Sequence, residues 1–327
     1  MYNFSTGRRS TIYIFSILIM SAKHKISILI ILSILLITGV KLFLPEPEEN
    51  TELINEFWIK KTFQKTKKNI VVGGDSRVYN GISINKLQQG IKQKCSGLNL
   101  GYLGAGFSPE YLDFLLSRLD LNSQPKIMIL GITPHSLTEK AAKNEAFHQY
   151  KDIDRKDRYI ALYLSKYLKQ LAPYKPWEIV KKLKYRNTNE VGFANFTSTG
   201  WVASYKFPAD SLQALVDYTR TFNKYKISQN VIDELLLKIT EIKKMNVSII
   251  AFRVPSTYQM EKLEKSLSGF DEEYLKKEFE KAGAFWLEFN NSDFVSYDGS
   301  HLHYLSAEKL SLQLGEKIDK ILLRNKI

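Results

Sequence analysis

Five short apolar runs punctuate the chain, and amphipathic stretches separate most of them. Asn69–Gly73, Gly97–Leu100, Lys126–Gly131, Val247–Val254 and Phe285–Phe289 read as strands. Tyr111–Leu119, Val231–Lys244 and Asp271–Ala282 place their apolar residues at helical spacing. Nearly continuous apolar strands joined by helical crossovers predict an α/β fold with a five-stranded parallel sheet covered on both faces. Ligands of such sheets bind beyond the carboxyl ends of the strands. Ser76, Gly104, Thr133 and Arg253 all fall at or just past those ends.

Two regions break this rhythm. The stretch from Ser136 to about Asn230 is longer than one crossover needs. It is rich in Tyr and Lys and contains Trp177 and Trp201. We read it as an insertion at 136–230, with a helix near Asp157–Leu171 and a loop over Gly192–Gly200. A lid or substrate wall is one role for it, and a subdomain with its own small core is the other.

The N-terminus is the second exception. Ile26–Val40 is apolar and uncharged, and Leu42–Leu44 extends it past Lys41 to the roughly 20 residues that cross a bilayer. Arg8, Arg9, Lys23 and Lys25 precede it, while Glu46, Glu48 and Glu49 follow. This asymmetry predicts a cytoplasmic segment at 1–25, a single transmembrane signal anchor at 26–44, a linker at 45–68 and an extracytoplasmic domain at 69–327. No small-residue cleavage site follows the apolar run, which favours a retained anchor in the bacterial cytoplasmic membrane. The shorter run Thr11–Met20 is too short to span; it reads as an interfacial piece or as the product of an early start, with Met20 the initiator.

Composition narrows the classes further. A chain of 327 residues, 44% hydrophobic and 12% aromatic, can bury a substantial core. The lone Cys95 excludes an internal disulfide and reads as a small buried apolar residue. A net charge of +13 admits nucleic-acid binding, but no recognisable binding module accompanies it. Runs such as Lys181–Lys184 and Lys276–Lys277 read as solvated helix faces, or as a surface held beside anionic lipid or an acidic envelope polymer. The expectation is therefore a membrane partner and no nucleic acid. The chain has no phosphate-binding glycine loop with a following lysine. Asp298, His301 and His303 are too few in carboxylates for a hard metal. No cofactor and no metal are expected.

The chemistry lies at opposite ends of the domain. Gly73-Gly74-Asp75-Ser76 closes the first strand, and Asp298 and His301 sit three residues apart near the C-terminus. A serine hydroxyl becomes a nucleophile when a base takes its proton, and an acid that fixes the base's tautomer completes the unit. Taken singly, Ser76 also reads as a helix N-cap, Asp298-Gly299-Ser300 as an ordinary turn and Gly104 as a turn glycine. His303 is a rival base, though its spacing from His301 directs it away in an extended segment. Asp75 reads as a brace for the turn. Arg77, His135 and Arg253 are candidates for an anionic group of a substrate, and each has an equally good structural reading.

These blocks resemble the SGNH (GDSL-like) hydrolase family from about Asn69 to the C-terminus. Val71-Val72-Gly73-Gly74-Asp75-Ser76 matches the block that carries the nucleophile, and Asp298-x-x-His301 matches the last block. Asn99-Leu100-Gly101-Tyr102-Leu103-Gly104 looks like the block that supplies an oxyanion glycine. The third block departs: Gly131-Ile132-Thr133-Pro134 stands where the family has Gly-x-Asn. The resemblance implies a flavodoxin-like three-layer α/β/α fold. It also implies Ser76 as nucleophile, His301 as base and Asp298 as its orienting acid, with Ser76, Gly104 and Thr133 around the oxyanion. The implied activity is an esterase or O-acyltransferase working through an acyl-serine. A membrane-anchored member implies an acylated, most simply O-acetylated, envelope glycan or other ester as substrate, and a membrane-bound acyl-transfer partner. Thr133 favours a second expectation, a catalytically weak or inactive accessory member that binds a glycan or an assembly partner.

Overall fold

A computed structural model of the chain describes residues 22–43, 51–165 and 191–324. The basic and acidic flanks at 8, 9, 46, 48 and 49, the run Thr11–Met20, Leu44, Trp177, Lys181–Lys184 and the far part of the Asp157–Leu171 helix lie outside these residues. The chain divides into two units. The first contains helix α1, Ala22–Phe43, whose stretch Ala22–Gly39 has a mean hydropathy of 1.7. At 1.5 Å per residue α1 is about 33 Å long, enough by length and composition to cross a bilayer. A leader sequence would meet the same criteria.

The second unit holds the sheet. Its parallel strands are β1 (Ile70–Gly74), β2 (Gly97–Asn99), β3 (Ile127–Ile132), β6 (Ser248–Arg253) and β7 (Phe285–Leu287), in the spatial order β2-β1-β3-β6-β7. The strands alternate their side chains between two cores, as the period of two requires. Val71, Met128, Leu130 and Ala251 face one core with Leu112, Ile239 and Phe279. Ile70, Val72, Ile129 and Phe252 face the other with Val78, Leu87, Leu310 and Leu314. Each fully buried Ile or Leu contributes roughly 1.5–3 kcal/mol. The first core is roofed by α5 (Pro109–Arg118), α7 (Gln229–Lys243) and α9 (Glu272–Lys281), and the second by α3 (Ser76–Gly81), α4 (Ile84–Gly90) and α10 (Tyr304–Arg324). The expected parallel sheet between two helical layers is therefore present.

Helix starts follow local chemistry. Ser108 caps α5, with Pro109 at its first position. Thr257 caps α8 (Tyr258–Leu267), and Asp271 caps α9. Chain order reverses around β1, which lies between β2 and β3, so the loops after these three strands crowd one crevice.

Two expectations change. The span 45–68, read as a linker, carries helix α2 (Thr51–Phe63), and Trp58, Ile59, Lys61 and Thr62 of it are buried. Gly192–Gly200, read as a loop, forms much of a hairpin of β4 (Val191–Phe196) and β5 (Val202–Phe207). Its Thr-Ser-Thr-Gly turn masked the pattern, while the cross-strand stack of Phe193 on Tyr205, 5.5 Å apart, supplies the pairing. Trp201 and Ala203 pack into the second core, so this part of the insertion has no separate core of its own. Helix α6 (Ser211–Lys224) follows.

Candidate active site

The turn after β1 is built from glycine. Gly74 has φ +146, and a Cβ there would stand 2.4 Å from Val78 Cγ2 and 2.7 Å from Gly131 O. Only glycine lets the chain leave the strand this tightly. Asp75, rather than Ser76, caps the helix that follows: its Oδ1 accepts the Arg77 N–H at 3.0 Å. Ser76 is thereby left at the first helical position with a hydroxyl that the cap does not use. Its backbone N–H is one of the donors a helix start leaves without an intrahelical acceptor.

That hydroxyl meets His301. Ser76 Oγ lies 2.8 Å from His301 Nε2, and His301 Nδ1 lies 2.6 Å from Asp298 Oδ2. Asp298 Oδ1 also accepts the backbone N–H groups of Ser300 at 2.9 Å and His301 at 2.6 Å. Burial alone would raise the Asp298 carboxyl, but these bonds and the His301 charge hold it below the ordinary carboxylate value. An ionised carboxylate only accepts, so Nδ1 carries the imidazole proton and Nε2 presents its lone pair to the serine. The loop is fixed by its own backbone: Ser296 Oγ and Tyr297 N both donate to His301 O, and His303 N donates to Val295 O. The Tyr297 ring stacks on His301 at 6.0 Å, and burial pushes its hydroxyl up to about 12.

His303 faces elsewhere. Its Nδ1 accepts the Leu305 N–H, and its ring packs on Tyr205 and Tyr304.

Gly104 stands at the end of the β2 loop with φ +59, and a Cβ there would meet nothing closer than His135 Cε1 at 3.8 Å. Its N–H has no hydrogen-bond acceptor among the described residues. Tyr111 ties this side to the nucleophile turn: its hydroxyl donates to Leu100 O at 2.7 Å and accepts the Gly74 N–H at 3.1 Å.

Thr133 is placed differently from the expectation. It is wholly buried, its Oγ1 donates to Asp75 Oδ2 at 2.6 Å, and its N–H donates to Ser136 Oγ. A hydroxyl has one proton, and this one is spent inside the protein. Thr133 braces Asp75 and has no hydrogen left for an oxyanion.

Most polar atoms of the two arginines are likewise engaged within the protein, with Arg77 Nη1 and Arg253 Nε left without a partner among the described residues. Arg77 is 1% exposed; its Nη2 pairs with Glu264 Oε1 at 2.5 Å and its Nε donates to Ser300 Oγ at 2.9 Å. Arg253 pairs with Glu264 Oε2 at 2.9 Å, Glu261 at 2.9 Å and Glu272 at 3.2 Å. Burial disfavours the Arg77 charge, but Glu264 more than compensates and raises its pKa. Both arginines therefore hold the scaffold, in place of the expected contact with an anionic substrate group.

Glu264, Ser300, Tyr297 and Tyr218 escaped sequence reasoning. One signal existed for Glu264: it lies four residues after Met260, so an acid occupies the buried stripe of α8. Nothing local marks Ser300 or Tyr218, whose partners lie far off in the chain.

Among the described residues no group of His, Cys, Asp and Glu could hold a metal ion. The arrangement of hydroxyl, imidazole and carboxylate is one that can deprotonate a serine and stabilise the resulting imidazolium. No protein-family model matches the chain, and no curated protein matches it. Among solved structures, a chain from Streptococcus pneumonia described as "a putative platelet activating factor" is similar at 12% identity and a TM-score of 0.32, covering 85% of this chain and 97% of that one. Likeness at that level adds nothing to the geometry above.

Proposed function

We propose that the chain is a membrane-anchored serine esterase or O-acyltransferase of the SGNH type, with a flavodoxin-like catalytic domain over 69–327 and an anchor over 26–44. The single observation that carries this reading is the pair of contacts Ser76 Oγ–His301 Nε2 at 2.8 Å and His301 Nδ1–Asp298 Oδ2 at 2.6 Å.

In the reaction, Ser76 Oγ attacks an ester carbonyl carbon while His301 Nε2 takes the hydroxyl proton. Asp298 stabilises the imidazolium. The tetrahedral oxyanion is met by the Ser76 and Gly104 N–H groups. Collapse breaks the bond to the leaving alcohol, which takes the proton from His301 and departs, leaving an acyl-serine. Water resolves that ester in a hydrolase; a sugar hydroxyl resolves it in a transferase. Either gives its proton to His301, which passes it to Ser76 Oγ as the acyl–Ser76 bond breaks. An apolar N-terminal helix in a chain of net charge +13 favours an acylated envelope glycan as the substrate and an extracytoplasmic location.

Mutation supplies the test. Ser76→Ala is expected to abolish release of acetate from acetylated model esters while its circular dichroism matches the wild type; equal turnover by the variant rejects the reading. The commitment of Thr133 to Asp75 favours a second reading, a glycan- or partner-binding module with an idle triad. A fluorophosphonate probe separates the two, since only a working triad labels Ser76 in a His301-dependent way.

A further inference from the structure

We infer that the His135 imidazole is a donor to the oxyanion, taking the place that Thr133 cannot fill. This rests on the hydrolase reading and adds a catalytic residue to it. The argument begins with topology. β1 lies between β2 and β3, so the loops after β2 and β3 flank the Ser76 turn from opposite sides. They approach each other: a Cβ on Gly104, from the β2 loop, would stand 3.8 Å from His135 Cε1, in the loop after β3. Cε1 lies between the two ring nitrogens, so the edge turned towards Gly104 carries both of them.

The rest of the β3 loop is committed. The Thr133 hydroxyl and N–H are used by Asp75 and Ser136, and the Ser136 hydroxyl donates back to Thr133 O at 2.8 Å. Pro134 has no N–H. Among the described residues neither nitrogen of the His135 ring has a hydrogen-bond partner. The ring is held by its edge contact with Tyr218 at 6.3 Å, and Tyr218 in turn covers the Arg77 guanidinium at 4.9 Å and accepts from Ser300 Oγ at 3.3 Å. The ring is thus positioned from both arms of the site while its polar atoms stay uncommitted.

Charge state suits the role. Burial lowers the His135 pKa from its usual value, with Arg77 and Lys140 adding to the effect and Asp75 and Glu264 opposing it. A neutral imidazole keeps one N–H, and whichever nitrogen bears it lies on the edge facing Gly104. Such a donor, pre-positioned and not reorganised during reaction, stabilises charge as it develops on the carbonyl oxygen.

The test uses the full-length chain in detergent, with p-nitrophenyl acetate as substrate and a fluorophosphonate as the oxyanion-forming probe. His135→Ala is expected to lower kcat/KM by about 10²- to 10³-fold, chiefly in kcat, and to slow Ser76 labelling in parallel. His135→Gln, which restores an N–H on a side chain of similar reach, is expected to recover at least part of the loss. An Ala variant within about threefold of wild type, or a loss confined to KM, overturns the inference. Ser76→Ala measured alongside separates the failures. If it retains wild-type turnover, the hydrolase reading falls and this inference with it; if it is dead while His135→Ala is unimpaired, only the inference falls. Should His135→Ala fail to fold, His135→Phe, which keeps the ring volume but has no donor, answers the same question: a folded Phe variant with kcat and Ser76 labelling within about threefold of wild type overturns the inference.

Discussion

At the residue scale, Asp298 does two things at once: one carboxylate oxygen fixes the loop through two backbone N–H groups and the other fixes the imidazole. Asp298→Asn keeps the size but lets the amide donate, which favours the wrong imidazole tautomer. We expect kcat to fall by about 10³- to 10⁴-fold with KM nearly unchanged, read by steady-state ester kinetics. The same group links stability to pH. Its folded pKa is depressed, so the unfolded chain binds a proton more readily. The stability it supplies is complete above the ordinary carboxylate range and is lost as pH falls through that range towards its lower folded value. Urea melts between pH 6 and pH 3 should therefore show a steeper acid loss in wild type than in Asp298→Asn; equal slopes would contradict the assignment.

Ser76, Asp298 and His301 were legible because each stands in a short local block. Thr133 was misjudged because a hydroxyl's partner cannot be read from its neighbours in sequence. Asp75, whose Oδ2 accepts the Thr133 hydroxyl's hydrogen bond, lies 58 residues earlier and on another strand's loop.

At the scale of elements, the join between α3, β6, α8 and the Asp298–His301 loop is an ionic one. Glu264, wholly buried, is shared by Arg77 from α3 and Arg253 from β6. Removing one partner of such a cluster leaves charge buried without compensation, a loss of about 3–5 kcal/mol. Glu264→Gln is expected to lower the unfolding free energy, read from urea melts, by an amount of that order; a change under about 1 kcal/mol would mean the arginines find other partners.

Lys61 of α2 makes the opposite case. It is 3% exposed, donates to Gly200 O in the hairpin turn at 3.0 Å, and sits 4.9–5.6 Å from the faces of Phe57, Trp58, Tyr79 and Tyr102, with no carboxylate partner among the described residues. Burial pushes its pKa down, so the unfolded chain is the better proton binder and stability rises with pH towards the free-lysine range. Lys61→Met should therefore be at least as stable as wild type at pH 7, and its melting temperature should rise less between pH 7 and pH 9.5. A clear destabilisation at pH 7 would show that the aromatic cage and the Gly200 bond outweigh desolvation.

The regular elements explain what sequence periodicity reached. Strands β1, β3 and β6 are buried over most of their length, so their apolar runs were unmistakable. The hairpin was missed because its strands carry Gly, Ala, Asn and Ser among the aromatics and are recognised through pairing with each other and docking on Asn80. Trp201 Nε1 donates to Asn80 O at 2.8 Å, a contact across 121 residues. Helix α2 was missed because its amphipathic pattern is weak, and its packing on the sheet unit sets its conformation.

For the whole molecule, two segments that share no sequence proximity close one site. Arg77 follows the nucleophile directly, and its bond to Ser300 pins the turn after β1 to the loop before α10, across 223 residues. Arg77 thus ties the segment that carries the nucleophile to the one that carries its base. The apolar α1 belongs to the same scale. On the proposed anchored topology the full chain should sediment with membranes and resist carbonate extraction, while residues 54–327 expressed without α1 should remain in the supernatant. A full chain freed by carbonate would contradict the anchor.

The account depends most on a chemically competent Ser76. The most direct measurement is intact-protein mass spectrometry, with peptide mapping, after reaction with a fluorophosphonate. The account predicts one adduct, located on Ser76, absent from Ser76→Ala and strongly reduced in His301→Ala. An adduct that persists unchanged in Ser76→Ala, or a folded wild-type protein that takes up no label and releases no acyl group, would contradict it.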